Sequence, residues 1–304
     1  MTVETIDAKN VIKTTKLSGD KREGKVRDIY DNNNGTLTIV TTDRHSSFDR
    51  VLAHIPHKGS VLNQLSIWWF DQLKDIVANH VISSPDANTI IAKKTKPLPI
   101  EIIVRGYITG VTSTSLWTVY NDGQRDFGDF QLPDGIVKNQ KLPEPVLTPT
   151  TKSDLGDENV NSKQIVEMGL LTQARLEEVN DIAIKIFKRG QELALERGLI
   201  LVDTKYEFGI DEDDNLVLID EVHTPDSSRY WMADSYQEAF DKGTNPKSFD
   251  KEFLRIWFKD NCDPYKDEVI PEAPEAMVIE LAKRYISIYE QLTGDKFDAR
   301  TQSN

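Results

Sequence analysis

The chain has 304 residues, 38% apolar and 29% charged, and its 37 Lys+Arg against 50 Asp+Glu leave a net charge of −13. This composition fits a water-soluble protein of one large or two smaller domains. The acidic surplus excludes a general nucleic-acid or anionic-membrane binder, which needs a basic footprint, but not a local basic site for small anions. No apolar run approaches the ~18 residues of a membrane span. Met1–Asn10 carries no secretory pattern, and the single Cys262 cannot form an intrachain disulfide. A cytoplasmic location is therefore expected.

Lys25–Tyr30 alternates polar and apolar residues, Asn32-Asn33-Asn34-Gly35 is a turn signal, and Thr36–Thr42 reads as the partner strand of a hairpin. From Ser60 to Val81, Leu62, Leu65, Trp69, Leu73, Ile76 and Val77 recur at helical spacing. Thr89–Lys94 and Ile100–Arg105 are short strand candidates around a Lys-Pro-Leu-Pro link, where a domain boundary at 95–100 is expected. Residues 121–165, rich in Gly, Pro, Asn and Asp, read as a long ordered loop region. Thr172–Arg197 is an amphipathic helix with Gly198 as its stop. Leu199–Gly209 and Leu216–Val222 are strands around the turn 211–215, and helices are expected at about 248–260 and 274–293. The pattern is α+β.

The segment 203–221 holds eight acids and one base, Lys205, for a net charge of −7. Strand alternation puts Asp203, Lys205 and Glu207 on one face, and Val202, Thr204, Tyr206 and Phe208 on the other. A hairpin centred between Asp213 and Asp214 sets Glu207 opposite Asp220. Facing like charges destabilise paired strands. A divalent cation would offset them, and oxygen ligands suit Mg²⁺. Asp211–Asp214 reads as a solvated turn; Asp203, Lys205, Glu207 and Asp220 read as a site.

Gly19-Asp-Lys-Arg-Glu-Gly24-Lys25-Val26 approaches a phosphate loop, but Val26 replaces the required hydroxyl and a strand follows where a helix is needed. What survives is a weaker reading, in which Gly24 allows close backbone approach and Lys25 and Arg27 offer charge to phosphates; an ordinary basic hairpin edge reads equally well. Arg105 precedes a Gly- and hydroxyl-rich stretch through Ser113 and Ser115, suited to phosphate or to a turn and helix cap. Thr224-Pro-Asp226-Ser-Ser228-Arg229 follows the acidic strand directly. The five histidines show no zinc spacing, Cys262 has no catalytic setting, and Asp43-Arg44-His45 reverses a kinase motif and is set aside.

Leu201-Val-Asp203-Thr-Lys205-Tyr-Glu207-Phe-Gly209 resembles the D-x-K-x-E-F-G signature of the SAICAR synthetase family, and Leu98-Pro-Ile-Glu101-Ile-Ile-Val-Arg105-Gly-Tyr-Ile-Thr-Gly110 resembles its second signature. Gly24-Lys-Val-Arg-Asp28, Asp220-Glu221 and Thr224–Arg229 match as well, so the resemblance runs from about residue 15 to 294. It implies a two-lobed α+β fold related to ATP-grasp enzymes, with antiparallel sheets, flanking helices and ATP in the cleft between lobes 1–97 and 98–304. It also implies an ATP-dependent ligase of purine biosynthesis that joins CAIR, a phosphoribosyl-aminoimidazole carboxylate, to L-aspartate.

By resemblance, Gly24, Lys25, Val26 and Arg27 cover the ATP phosphates, while Lys94 and Leu98 bound the adenine-side hinge. Glu207 and Asp220 hold Mg²⁺ and, with Lys205, form the catalytic set. Arg105, Ser115, Asp203, Lys205, Ser228 and Arg229 bind CAIR. The family's Gly-Ser step is altered here to Gly110-Val111, so Ser113 competes with Ser115, and Ser115 is taken because Leu116-Trp117 continues the helix. Lys152 is assigned to a substrate carboxylate. No nucleic-acid or membrane partner is expected, and homo-oligomerisation stays open. A small-molecule kinase and a non-catalytic nucleotide-binding module are the alternatives.

Overall fold

The computed structural model describes residues 6–48, 50–112, 114–152, 158–249 and 252–299. Strands β1 (Asp20–Glu23), β2 (Arg27–Asp31) and β3 (Thr36–Thr41) run antiparallel. The β2–β3 turn uses Asn33 and Gly35 in the left-handed region, as its residue types predict. A ribbon of β4 (Arg44–Ser47) and β5 (Arg50–His54) leads into helix α1 (Lys58–Gln72), then β6 (Ala78–Asn79), β7 (Val81–Asp86) and β8 (Thr89–Lys93). The first sheet has the order β1-β2-β3-β8-β7.

The chain crosses to a second sheet through β9 (Lys96–Pro97) and β10 (Ile100–Tyr107). Next come α2 (Leu116–Asn121), β11 (Lys141–Leu147), β12 (Thr150–Thr151), α3 (Ser162–Glu167) and α4 (Gln173–Glu196). They are followed by β13 (Leu199–Ile210), β14 (Leu216–Ile219), β15 (Ser228–Met232), α5 (Ala233–Asp241), α6 (Glu252–Asn261) and α7 (Glu275–Thr293). The second sheet has the order β11-β10-β13-β14-β6, with β9 and β15 also on β13 and β12 on β10. The long strand β13 is its spine, with β10 and β9 on one side and β14 and β15 sharing the other.

Helix α4 lays Leu176, Val179, Ala183, Ile186 and Phe187 onto this sheet, and Gly198 ends it with a positive φ as expected. Helix α1 serves two cores. Leu65 and Trp69 join the core under the second sheet, while Val61 and Leu62 pack with Leu254, Phe258, Val278 and Leu281 of the C-terminal helices. Each such fully buried side chain contributes about 1.5–3 kcal/mol, so the C-terminal helices are fastened to the N-terminal part of the chain.

Three expectations need correction. The helix predicted to Val81 stops at Gln72, and Ile76 and Val77 sit on a turn closed onto Leu73 O. Residues 121–165 are not one loop, since β11 and β12 lie inside them and α3 begins there at Ser162. Pro143 and Pro145 hid β11, and they are tolerated because β11 is an edge strand whose outer N–H groups have no ladder to complete. The acidic hairpin is shifted by one: its loop is 211–215, so Glu207 pairs with Ile219 and not with Asp220. The odd-length loop moves the centre to Asp213, with Asp214 supplying the left-handed residue at φ 63°.

Candidate active site

On β13 the side chains of Tyr206 and Phe208 go into the core, and Asp203, Lys205 and Glu207 take the opposite face, as the alternation requires. Lys205 gathers three carboxylates. Its Nζ lies 3.1 Å from Glu101, 2.5 Å from Glu207 and 3.7 Å from Asp220. Burial alone would lower the Lys205 ammonium, but Glu207, Asp220 and Glu101 hold it well above its ordinary value. Burial would likewise raise the Glu207 carboxyl; Lys205 and Lys152, which both hydrogen-bond it, hold it well below the usual range. The cation that offsets the acids here is therefore lysine, and Lys152, assigned to a substrate carboxylate, sits on Glu207.

Asp220 reaches this group in spite of the shifted register. It follows β14 with φ 64°, which takes it out of the strand's alternation. Arg27 of the first sheet then bonds Asp220 at 2.7 Å and approaches Glu221 at 3.3 Å. This ion pair spans the two sheets, across 193 residues of sequence.

The Gly24–Arg27 loop is a tight turn, with Gly24 N–H donating to Arg27 O at 2.8 Å. A Cβ on Gly24 would lie 3.2 Å from that oxygen, a tight contact that the bare glycine avoids. Val26 O accepts from both Thr42 N–H and its hydroxyl, and Lys25 is exposed at the tip. In the link between sheets, Lys94 bonds Asp31 at 2.5 Å and the buried Leu98 donates its N–H to Phe208 O at 2.8 Å.

Further along β13 lies a cationic row. Register places Arg105 and Arg229 on either side of Asp203. Asp203 is 2.5 Å from Arg229 and 3.7 Å from Arg105, whose Nε donates to Thr148 Oγ1 at 2.8 Å. Burial pulls the Arg105 guanidinium below its ordinary value, opposed by Asp203. Ser228 shares a hydrogen bond of 2.8 Å with Thr204. A cavity of about 520 Å³ opens beside Thr148, lined among others by Thr114, Phe127, Phe130 and Asn159.

The Ser115 hydroxyl donates to Thr112 O at 2.8 Å and shares a bond with Thr118. Gly110 (φ 109°) lets the loop fold over it, because a Cβ there would come 2.4 Å from Ser115 Cβ. Ser113 lies outside the described residues.

Sequence reasoning missed Glu101 and Thr148. Glu101 stands two pleats from Arg105, so the alternation that grouped Asp203, Lys205 and Glu207 would have found it on β10. It also missed Asp226, which binds the fully buried Lys58 of α1 at 2.7 Å and accepts a hydrogen bond from Tyr285 of α7. This knot ties the 224–229 segment to both helices. Among the described residues no three acidic, histidine or cysteine side chains form a ready metal-ligand group.

A family profile for SAICAR synthetase matches residues 20–272. The chain belongs to the SAICAR synthetase family. It is 56% identical over 279 residues to a phosphoribosylaminoimidazole-succinocarboxamide synthase of Legionella pneumophila (strain Paris), covering 92% of this chain and 89% of that one. The Arabidopsis thaliana chloroplastic synthase is 55% identical over 289 residues, covering 95% and 70%. Among solved structures, a Saccharomyces cerevisiae SAICAR synthase complexed with SAICAR superposes with a TM-score of 0.82 at 36% identity, covering 94% of this chain and 99% of that one. A SAICAR synthetase in complex with ADP gives 0.70 at 26% identity, covering 92% and 100%. The expected family and α+β fold are thereby borne out. No helix among the described residues is long and apolar enough to cross a membrane.

Proposed function

We propose that this SAICAR synthetase joins CAIR and L-aspartate in an amide bond, converting ATP to ADP and phosphate and releasing SAICAR for de novo purine biosynthesis. The observation that carries the reading is the layout of one face of β13. The arginine row at Asp203 lies at one end, the carboxylates Glu207 and Asp220 at the other, and Lys205 between them. Same-face residues are about 7 Å apart along a strand. A phosphorylated substrate held by Arg105, Arg229 and Ser228 would therefore present its far-end carboxylate near Lys205.

ATP would lie between lobes 1–97 and 98–304, an arrangement related to ATP-grasp enzymes. Lys94 and Leu98 would bound the adenine side. Lys25 and Arg27 would meet its phosphates, with Gly24 and Val26 shaping the loop. Ser115 would take part in CAIR binding through its loop. The lone cysteine fits a cytoplasmic enzyme, and no nucleic acid or membrane is required.

The residues fit Mg²⁺. It commonly takes one or two carboxylates, with phosphate oxygens and waters completing its shell, and the acids around Lys205 already draw cations. Glu207 and Asp220 would hold it. When bound, it would neutralise charge on the phosphoryl group.

Carboxylate and amine do not condense unaided. A CAIR carboxylate oxygen attacks the γ-phosphorus, the bond to ADP breaks, and an acyl phosphate forms. The aspartate amine then attacks the acyl carbon, phosphate leaves with the former carboxylate oxygen, and the amine loses a proton. Phosphoryl transfer asks for positioning and charge more than for a protein nucleophile. Lys205 steadies the carboxylate, and Lys25 and Arg27 meet the charge developing on the phosphates. CAIR labelled with ¹⁸O in its carboxylate tests the sequence: one labelled oxygen should appear in the released phosphate, and unlabelled phosphate would overturn it.

A further inference from the structure

Asp43-Arg44-His45 was set aside as a motif, yet Arg44 is among the most enclosed cations of the chain, at 4% exposure. Buried arginines normally face carboxylates. Arg44 faces Asp28 at 2.9 Å, with Glu23 farther off at 4.0 Å, and spends its other hydrogen bonds on backbone. It donates to Lys13 O at 2.8 Å, Gly24 O at 2.9 Å and Lys25 O at 3.3 Å.

Two of these carbonyls belong to the Gly24–Arg27 loop. In a planar trans peptide the C=O and the following N–H point in opposite directions. With the Gly24 and Lys25 carbonyls turned in toward Arg44, the N–H groups of Lys25 and Val26 turn out. Successive outward N–H groups make an anion-binding concavity. Asp28 keeps the strut in place. It is fully buried, and although burial would raise its carboxyl, hydrogen bonds from Lys21, Thr15 and Arg44 hold it down at about 2.

We propose that Arg44 is a positioning residue that holds the Gly24 and Lys25 peptides so that the Lys25 and Val26 N–H groups face the polyphosphate of the nucleotide. This rests on the reading that the loop covers ATP phosphates, and it assigns the recognition to backbone set by a side chain that never touches the ligand. A lysine at this position would keep a charge on Asp28, but one ammonium cannot span three carbonyls.

The test is calorimetric binding of ADP, adenosine and CAIR to Arg44→Lys, with amide hydrogen exchange across residues 24–27. ADP should bind at least tenfold more weakly, adenosine and CAIR should stay within twofold, and exchange at 24–27 should quicken. Unchanged ADP affinity, or parallel losses for all three ligands, would overturn the proposal. If Arg44→Lys does not fold, the double variant Arg44→Gln/Asp28→Asn, which strands no charge, is measured by the same criteria. The loop reading is judged separately in the wild-type protein. If ADP does not slow exchange at residues 24–27 there, that reading fails whatever Arg44 does.

Discussion

Replacing Arg105 by Ala removes one of two guanidiniums from the row around Asp203 without stranding the acid. Asp203 keeps Arg229 at 2.5 Å, while the lost partner stood at 3.7 Å. The lost hydrogen bond to Thr148 costs about 1 kcal/mol, so the variant should fold. Binding changes more. Among the described residues, the row's two arginines and one acid sum to +1 in the parent and to zero in the variant. A charge-assisted hydrogen bond is worth about 1.5–3 kcal/mol, and each 1.4 kcal/mol is a factor of ten. KM for CAIR should rise about 10- to 150-fold at saturating ATP and L-aspartate, with KM for ATP within about twofold. Initial rates over a CAIR series, with a melting curve as control, measure this. A rise confined to ATP would refute the placement of CAIR on this row.

Glu207→Gln keeps the shape but loses a charge facing Lys205 and Lys152. Partners beyond the ligands of a metal site cost 10–100-fold when lost, so a ligand itself should cost at least about a hundredfold in kcat; near-parental turnover would sink the metal assignment. Lys58→Met leaves the Asp226 carboxylate buried without its ammonium, a loss of about 3–5 kcal/mol, or roughly 5–8 °C in Tm for a chain of this size. A Tm within 1 °C of the parent would contradict it. Burial lowers His80 to about 4 and His223 to about 3. The unfolded chain binds both protons near pH 6.5, so it holds about two more than the folded chain at pH 5. Stability should fall toward acid there by about 2.7 kcal/mol per pH unit from these two groups. His80→Gln should remove about half of that slope in urea titrations, and an unaltered slope would count against a neutral buried His80.

Much of the fold was legible where one period governs a segment. The hairpin 25–42 and helix α4 followed from alternation and from a 3.6-residue stripe. β11 was hidden because its two prolines, harmless on an edge, read as loop. β4 and β5 were hidden because Arg44-His45 is buried polar chain, and the long-range hydrogen bonds of Arg44 leave no local pattern. The face carrying Asp203, Lys205 and Glu207 came straight from strand geometry. Its partners did not: Arg27 meets Asp220 across 193 residues, and Lys58 meets Asp226 across 168. The proposed pairing of Glu207 with Asp220 had the wrong register but a sound neighbourhood. A positive φ at Asp220 brought it to Lys205; aspartate adopts that region more readily than most residues, but nothing local in the sequence marks which aspartate does so.

The central claim is that ATP cleavage serves amide formation. Its most direct test is ADP and phosphate release with CAIR and ATP, with and without L-aspartate. The account predicts ADP, phosphate and SAICAR in equal amounts when L-aspartate is present, and no steady phosphate release when it is omitted. Steady ADP formation without L-aspartate, or phosphate retained on the product, would contradict it.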